Sequence, residues 1–199
     1  RDVVESRGLG DVYKRQPKLP QITASSFLLI DAETNKIIAQ QNPEASTGLA
    51  SITKIMTSYI VADYLKQGFL NIKDSTIVSE NCWRMEGSRM FIQEGKKVLI
   101  EDLMRGMIIQ SGNDAACALA EHIAGTQEDF ASLMNDYAQK MELKNTNFTN
   151  PTGLPNVNHY STAEDIAKLS IVLINDFPDE YSMYSDCLLY TSDAADDIT

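Results

Sequence analysis

The sequence predicts an α/β chain of the α+β kind, in which a β-hairpin is followed by a block of helices. Two observations predict it. The apolar runs Phe27–Asp31 and Lys36–Gln40 are joined by the turn-like stretch Ala32-Glu33-Thr34-Asn35, the pattern of an antiparallel hairpin. Further on, apolar residues recur at helical spacing. From Ser51 to Gln67 there is no Gly or Pro, and Ile52, Ile55, Met56, Tyr59, Ile60 and Tyr64 fall three or four apart.

After the hairpin, Asn42 to Gly48 reads as a loop that delivers the chain to a largely buried helix with Ser51 in its first turn. Gly68 to about Lys97 reads as irregular. The short apolar groups Thr76-Ile77-Val78 and Met90-Phe91-Ile92 suggest short strands and loops there, with Trp83 and Met90 able to line a cleft but more often, as such residues go, used in buried packing. Helices are expected over Ile100–Ile109, Asp114–Ala124 and Glu128–Met141. The last places Phe130, Leu133, Met134, Tyr137 and Met141 on one face. Asn150-Pro151-Thr152-Gly153 is a turn signal. Ser161 or Thr162 caps a helix running to about Ile174, with Glu164 and Asp165 in its first turn, and another helix starts near Pro178.

The formal net charge is −11. Such an acidic chain argues against a nucleic-acid surface. No stretch is long and apolar enough to span a membrane. Cys82 and Cys117 make no disulfide framework by themselves, and Cys117 among alanines reads as a small core residue. His122 and His159 have no partners at ligand spacing, so no metal is expected.

The chemistry centres on Ser51-Ile52-Thr53-Lys54. Residues three apart on a helix share a face, so the Lys54 amine reaches the Ser51 hydroxyl. A serine hydroxyl needs a base to attack at neutral pH, and a buried lysine serves once its pKa is lowered. A helix start also offers N–H groups and positive dipole to a developing oxyanion. Alone, Ser-x-x-Lys is a weak signal. Two features strengthen it: Lys54 lies in an apolar stretch, where an unpaired charge is costly, and Ser111-Gly112-Asn113 lies downstream at a helix junction. There a hydroxyl can relay a proton and an amide can hold a substrate peptide group.

Together the two motifs resemble the penicillin-recognising serine enzymes. Ser51-Ile52-Thr53-Lys54-Ile55-Met56-Thr57 and Gln110-Ser111-Gly112-Asn113-Asp114-Ala115 are similar to segments of low-molecular-mass D-alanyl-D-alanine carboxypeptidases. So are Leu143–Phe148, Pro151–Leu154 and His159–Asp165, and the resemblance runs from about Ser25 to Ser185. One departure is basic: no Lys-Thr-Gly occurs in the sequence. The resemblance therefore implies an incomplete penicillin-binding, β-lactamase-like transpeptidase fold, with the remaining sheet strands and one wall of the site missing.

It also implies roles. Ser51 is the nucleophile, Lys54 the general base and Ser111 a proton relay. Gly112 and Asn113 bind substrate. The substrate is a peptidoglycan stem peptide ending in D-Ala-D-Ala, β-lactams are inhibitors, and no cofactor takes part. The location is periplasmic or otherwise extracytoplasmic, with any membrane anchor outside this sequence. Two alternatives share the fold. A class A-type β-lactamase would carry Asp where Gly112 stands, and a non-catalytic penicillin-binding module would not need Ser51 and Lys54 intact.

The ends have a separate reading. Asp11–Gln16 and Cys187–Ser192 can be encoded by DNA strings that are reverse complements apart from their outermost bases. That pattern resembles a translated sequencing adapter. The expected organisation is thus residues 1–16 and 187–199 as non-native tails around a partial catalytic domain, 17–186. The tails hold four basic and six acidic residues, which leaves −9 of the −11 on the body.

Overall fold

The computed structural model describes residues 22–184. The two tail assignments, and the end of the 17–186 segment with Cys187, lie outside the described residues. The hairpin forms as expected: β1 (Phe27–Ile30) pairs antiparallel with β2 (Ile37–Gln41), Phe27 opposite Gln41, with an irregularity at Leu29/Ile30. Asp31 closes the turn by accepting from the Thr34 N–H and hydroxyl. The loop before Ser51 contains a short strand not anticipated from sequence, β3 (Thr47–Gly48). It pairs with β6 (Tyr160–Ser161), which brings the Asn150–Ser161 region beside the start of the Ser51 helix.

Ser51–Thr53 form a 3-10 turn that leads into α1 (Lys54–Lys66). Helix α1 is the centre of the molecule. Met56, Ile60, Val61 and Ala62 are fully buried, as expected for a helix apolar all round. One side packs with Phe130, Met134, Phe148 and Leu169, the other with Ile100, Leu103, Cys117 and Leu119. Ile52 departs from the expected pattern. It lies on the 3-10 turn, outside the α-helical period, and is 44 % exposed.

The region read as irregular holds β4 (Ser75–Ile77), the short α2 (Glu80–Trp83) and β5 (Lys97–Leu99). Here the sequence reading needs correction. Met90-Phe91-Ile92 forms no strand, and the partner of β4 is β5. The 90–92 backbone N–H groups turn instead to a side chain, as described below. Trp83 is not buried but 40 % exposed. The cysteines also correct the reading: Cys82 on α2 and Cys117 form a disulfide, with Sγ–Sγ 2.07 Å and Cα–Cα 5.3 Å. A separation of 35 residues hides a proximity that packing creates.

The remaining helices are α3 (Ile100–Ile109), α4 (Asn113–Ala124), α5 (Gln127–Lys140), α6 (Ala163–Asp176) and α7 (Pro178–Ser182). Thr126 and Thr162 cap α5 and α6 by accepting from the N–H of Asp129 and Asp165, three residues on, as caps do. Among the described residues, no helix is long and apolar enough to cross a membrane.

Candidate active site

Lys54 is 5 % exposed, and every proton of its ammonium has a partner. Its Nζ lies 3.3 Å from Ser51 Oγ, 2.8 Å from Asn113 Oδ1 and 2.7 Å from the Thr152 carbonyl oxygen. No carboxylate pairs with it among the described residues. Burial therefore acts uncompensated and lowers its pKa from 10.5 to about 8. Ser51, by contrast, is exposed. An exposed hydroxyl beside a buried amine of lowered pKa is the arrangement for a nucleophile and its base.

Ser111 and Asn113 converge on the same place from the α3–α4 junction. Ser111 has φ 54°, an uncommon conformation that makes a sharp corner between the helices. It lines a small cavity of about 70 Å³ together with Ser51, Lys54, Ser58 and Tyr184. The hydroxyl of Tyr184 donates to Ser58 Oγ at 3.0 Å. Asn113 is buried and fixed from both ends. Its Oδ1 accepts from Lys54, and its Nδ2 donates to the Glu86 carbonyl at 2.6 Å. The amide orientation follows from this, since only the oxygen can face an ammonium. Gly112 contributes backbone, donating its N–H to the Gly106 carbonyl at 3.1 Å. Ser51, Lys54, Ser111 and Asn113 thus lie around one point, with Ser111 joined by the shared cavity rather than by a hydrogen bond to Lys54, while the Gly112 backbone turns to Gly106.

Residues that the sequence did not single out hold this group in place. The Thr57 hydroxyl donates to the Pro151 carbonyl, and the Lys54 amine to the next one, Thr152. Asn150 Oδ1 gathers the N–H groups of Thr152, Gly153 and Leu154, which folds the loop against α1. Gly153 (φ 86°) packs so tightly that a Cβ there would lie 2.0 Å from the Ala50 oxygen and 3.0 Å from the Ser51 nitrogen. The signals in the sequence were the Asn-Pro-Thr-Gly turn and the similarity of Pro151–Leu154 to a carboxypeptidase segment, neither of which gave these residues a role. His159 is a structural group. Its Nδ1 accepts from the Thr149 N–H at 3.0 Å, so its Nε2–H faces the Thr53 hydroxyl at 2.7 Å, and burial lowers its pKa.

A family model described as D-alanyl-D-alanine carboxypeptidase, Peptidase S11, matches residues 13–196. The chain belongs to this family. D-alanyl-D-alanine carboxypeptidase DacA of Haemophilus influenzae is 44 % identical over 170 residues, which are 84 % of this chain and 43 % of the relative. DacC of Escherichia coli is 41 % identical over 173 residues, again 84 % and 43 %. The chain therefore spans under half the length of these carboxypeptidases. Among solved structures, penicillin binding protein 5 from Haemophilus influenzae superposes with TM-score 0.82 at 43 % identity, covering 85 % of this chain and 50 % of that one. The carboxypeptidase DacD from Francisella tularensis gives 0.81 at 38 %, covering 90 % and 45 %. The expected penicillin-binding, β-lactamase-like α+β fold holds for the part of it that this chain spans.

Proposed function

We propose that this chain carries the acylation half of a serine-type D-alanyl-D-alanine carboxypeptidase active site. One observation carries the reading: Lys54 Nζ lies 3.3 Å from Ser51 Oγ with its pKa down to about 8. As an ammonium, Lys54 spends three protons on three partners. Once neutral, it keeps two for Asn113 Oδ1 and the Thr152 carbonyl and turns its lone pair toward Ser51 Oγ. The amine then takes the serine proton as Oγ bonds to the carbonyl carbon of the penultimate D-Ala. The C–N bond breaks, and the terminal D-Ala leaves with a proton passed on through Ser111. A water then adds to the ester, releases the shortened peptide and returns the proton to Ser51. Asn113 holds the substrate amide beside the attacked bond.

The substrate in this reading is a peptidoglycan stem peptide ending in D-Ala-D-Ala, and β-lactams acylate the same serine and inhibit. Such a substrate lies outside the cytoplasmic membrane, so the protein works in the periplasm or an equivalent extracytoplasmic space. The partial catalytic domain is 17–186. Fluorescent penicillin with peptide mapping tests the assignment in the chain extended to the length of its relatives. The label is expected on Ser51 and is expected to vanish in Ser51→Ala. A label on another residue overturns it.

A further inference from the structure

The segment from Glu86 to Gln93 is an irregular loop, yet its backbone is held firmly. Asn113 ties its start, donating Nδ2–H to the Glu86 carbonyl and its backbone N–H to that of Ser88 at 2.7 Å. The neighbouring Asp114 carboxylate accepts from the N–H of Met90 at 3.0 Å and of Ile92 at 3.2 Å. Met90 packs on Gly106, where an added Cβ would meet its sulfur at 2.3 Å, and Ile92 is buried. Phe91 between them is exposed, and Arg89 is half-buried.

Phe91 is costly on two counts. It is 73 % exposed, and its φ of 63° is an outlier for an aromatic residue. Strain of this kind persists where the surroundings impose it and gathers at functional sites. Phe91 and Trp83 face an open groove of about 780 Å³ that also takes in Arg84, Arg89 and Glu86. A guanidinium lies over each ring, Arg89 at 4.9 Å from the Phe91 centroid and Arg84 at 5.6 Å from that of Trp83. Arg84 also pairs with Glu80 at 2.7 Å, whereas no carboxylate pairs with Arg89 among the described residues. A guanidinium laid on an aromatic face is pre-organised to receive a planar carboxylate at its edge. Glu80 offsets Arg84 and Glu86 lies in the lining, so Arg89, stacked on Phe91, is the cation left to receive an anion.

We propose that this groove is a subsite for an anionic peptide segment upstream of the scissile bond. A carboxylate on that segment meets Arg89, and its backbone and methylenes lie on Trp83 and Phe91. The inference rests on the Ser51–Lys54 reading for the direction of the chain. Asn113 links the two sites, since one end of its amide holds Lys54 and the other holds the groove wall at Glu86.

Trp83 is the sole tryptophan of the sequence, so its fluorescence reports on the groove alone. The test uses Ser51→Ala protein and a synthetic pentapeptide ending in D-Ala-D-Ala with two free upstream carboxylates. Its side-chain-amidated twin, and a truncated form lacking D-Ala-D-Ala, complete the set. The acidic pentapeptide is expected to shift Trp83 emission saturably. It should bind about five- to tenfold more tightly than the amidated twin, the preference that one or two exposed charge contacts supply. The preference should weaken with salt and disappear in Arg89→Glu. The truncated acidic peptide should still shift the emission, which separates the groove from the acyl site. Equal affinity for the acidic and amidated peptides, or a preference that survives Arg89→Glu, overturns the proposal. Penicillin labelling of Ser51 is read separately, so its failure would count against the acyl site and not against the groove.

Discussion

At the scale of single residues, Lys54 is the group on which the reading turns. A lysine with an ordinary pKa of 10.5 is almost wholly charged at pH 7, and one at about 8 is neutral in roughly one molecule in ten. The shift comes from burial, with no compensating carboxylate among the described residues, so the site obtains its base by withholding solvent. Acylation is therefore expected to rise with pH as Lys54 loses its proton and to level off above about pH 8. Stopped-flow acylation by a chromogenic β-lactam between pH 6 and 10 measures this. A rate still climbing tenfold per unit at pH 9 would mean that the proton comes off elsewhere. Lys54→Arg keeps the charge and some hydrogen bonds but supplies no neutral amine. Acylation should fall by a factor of at least about 100, the lower range for loss of general-base catalysis. A loss of only a few-fold would reassign Lys54 to an electrostatic role.

At the scale of elements, the disulfide joins α2 to α4 and so anchors the segment that leads to the 86–93 loop. Closing a loop of 35 residues in the unfolded chain stabilises by about 4 kcal/mol in the chain-entropy model. Replacing both cysteines by serine should lower the opening free energy of amides in α2 and the following loop by an amount of that order. Hydrogen exchange read by mass spectrometry measures it, and unchanged exchange in the variant would show that the staple adds nothing. The sequence hid this link because Cys82 and Cys117 carry no spacing signal; only the packing of α2 on α4 brings them together. The helices were legible for the opposite reason. Their apolar period and caps are local, so Ile100–Ile109 fell where expected, and the helices starting at Asn113 and Gln127 began one residue earlier. The two-residue strands β3 and β6 are too short for any pattern, and β5 is set by its partner β4. The site followed the same rule. Ser51 and Lys54 were legible because one helical turn relates them, whereas the Thr152 carbonyl and Gly153 act through backbone from 98 residues away or more.

At the scale of the whole molecule, α1 is sealed by helices on most sides but not at its start. Ile52 is 44 % exposed, and the side of α6 bearing Ile166, Ile171 and Ile174 forms with β1 an apolar groove of about 560 Å³. On the hairpin, Leu29, Ile37 and Ile38 are each at least half exposed. A two-stranded sheet is not stable by itself, and three separate ones are all that the described residues supply. Leaving a large apolar side chain in water forgoes roughly 1.5–3 kcal/mol, so a few such losses match the whole stability of a typical domain. The purified 199-residue chain is therefore expected to bind a hydrophobic dye such as ANS and to unfold over a broad temperature range. It should also release little D-Ala from D-Ala-D-Ala peptides. The chain extended to the length of its relatives should bind less dye and melt sharply. Dye fluorescence, calorimetry and a D-Ala release assay on the two proteins make the comparison. A sharp transition with turnover in the 199-residue chain would show that the exposed groove costs little and that the Ser51 site works without further cover.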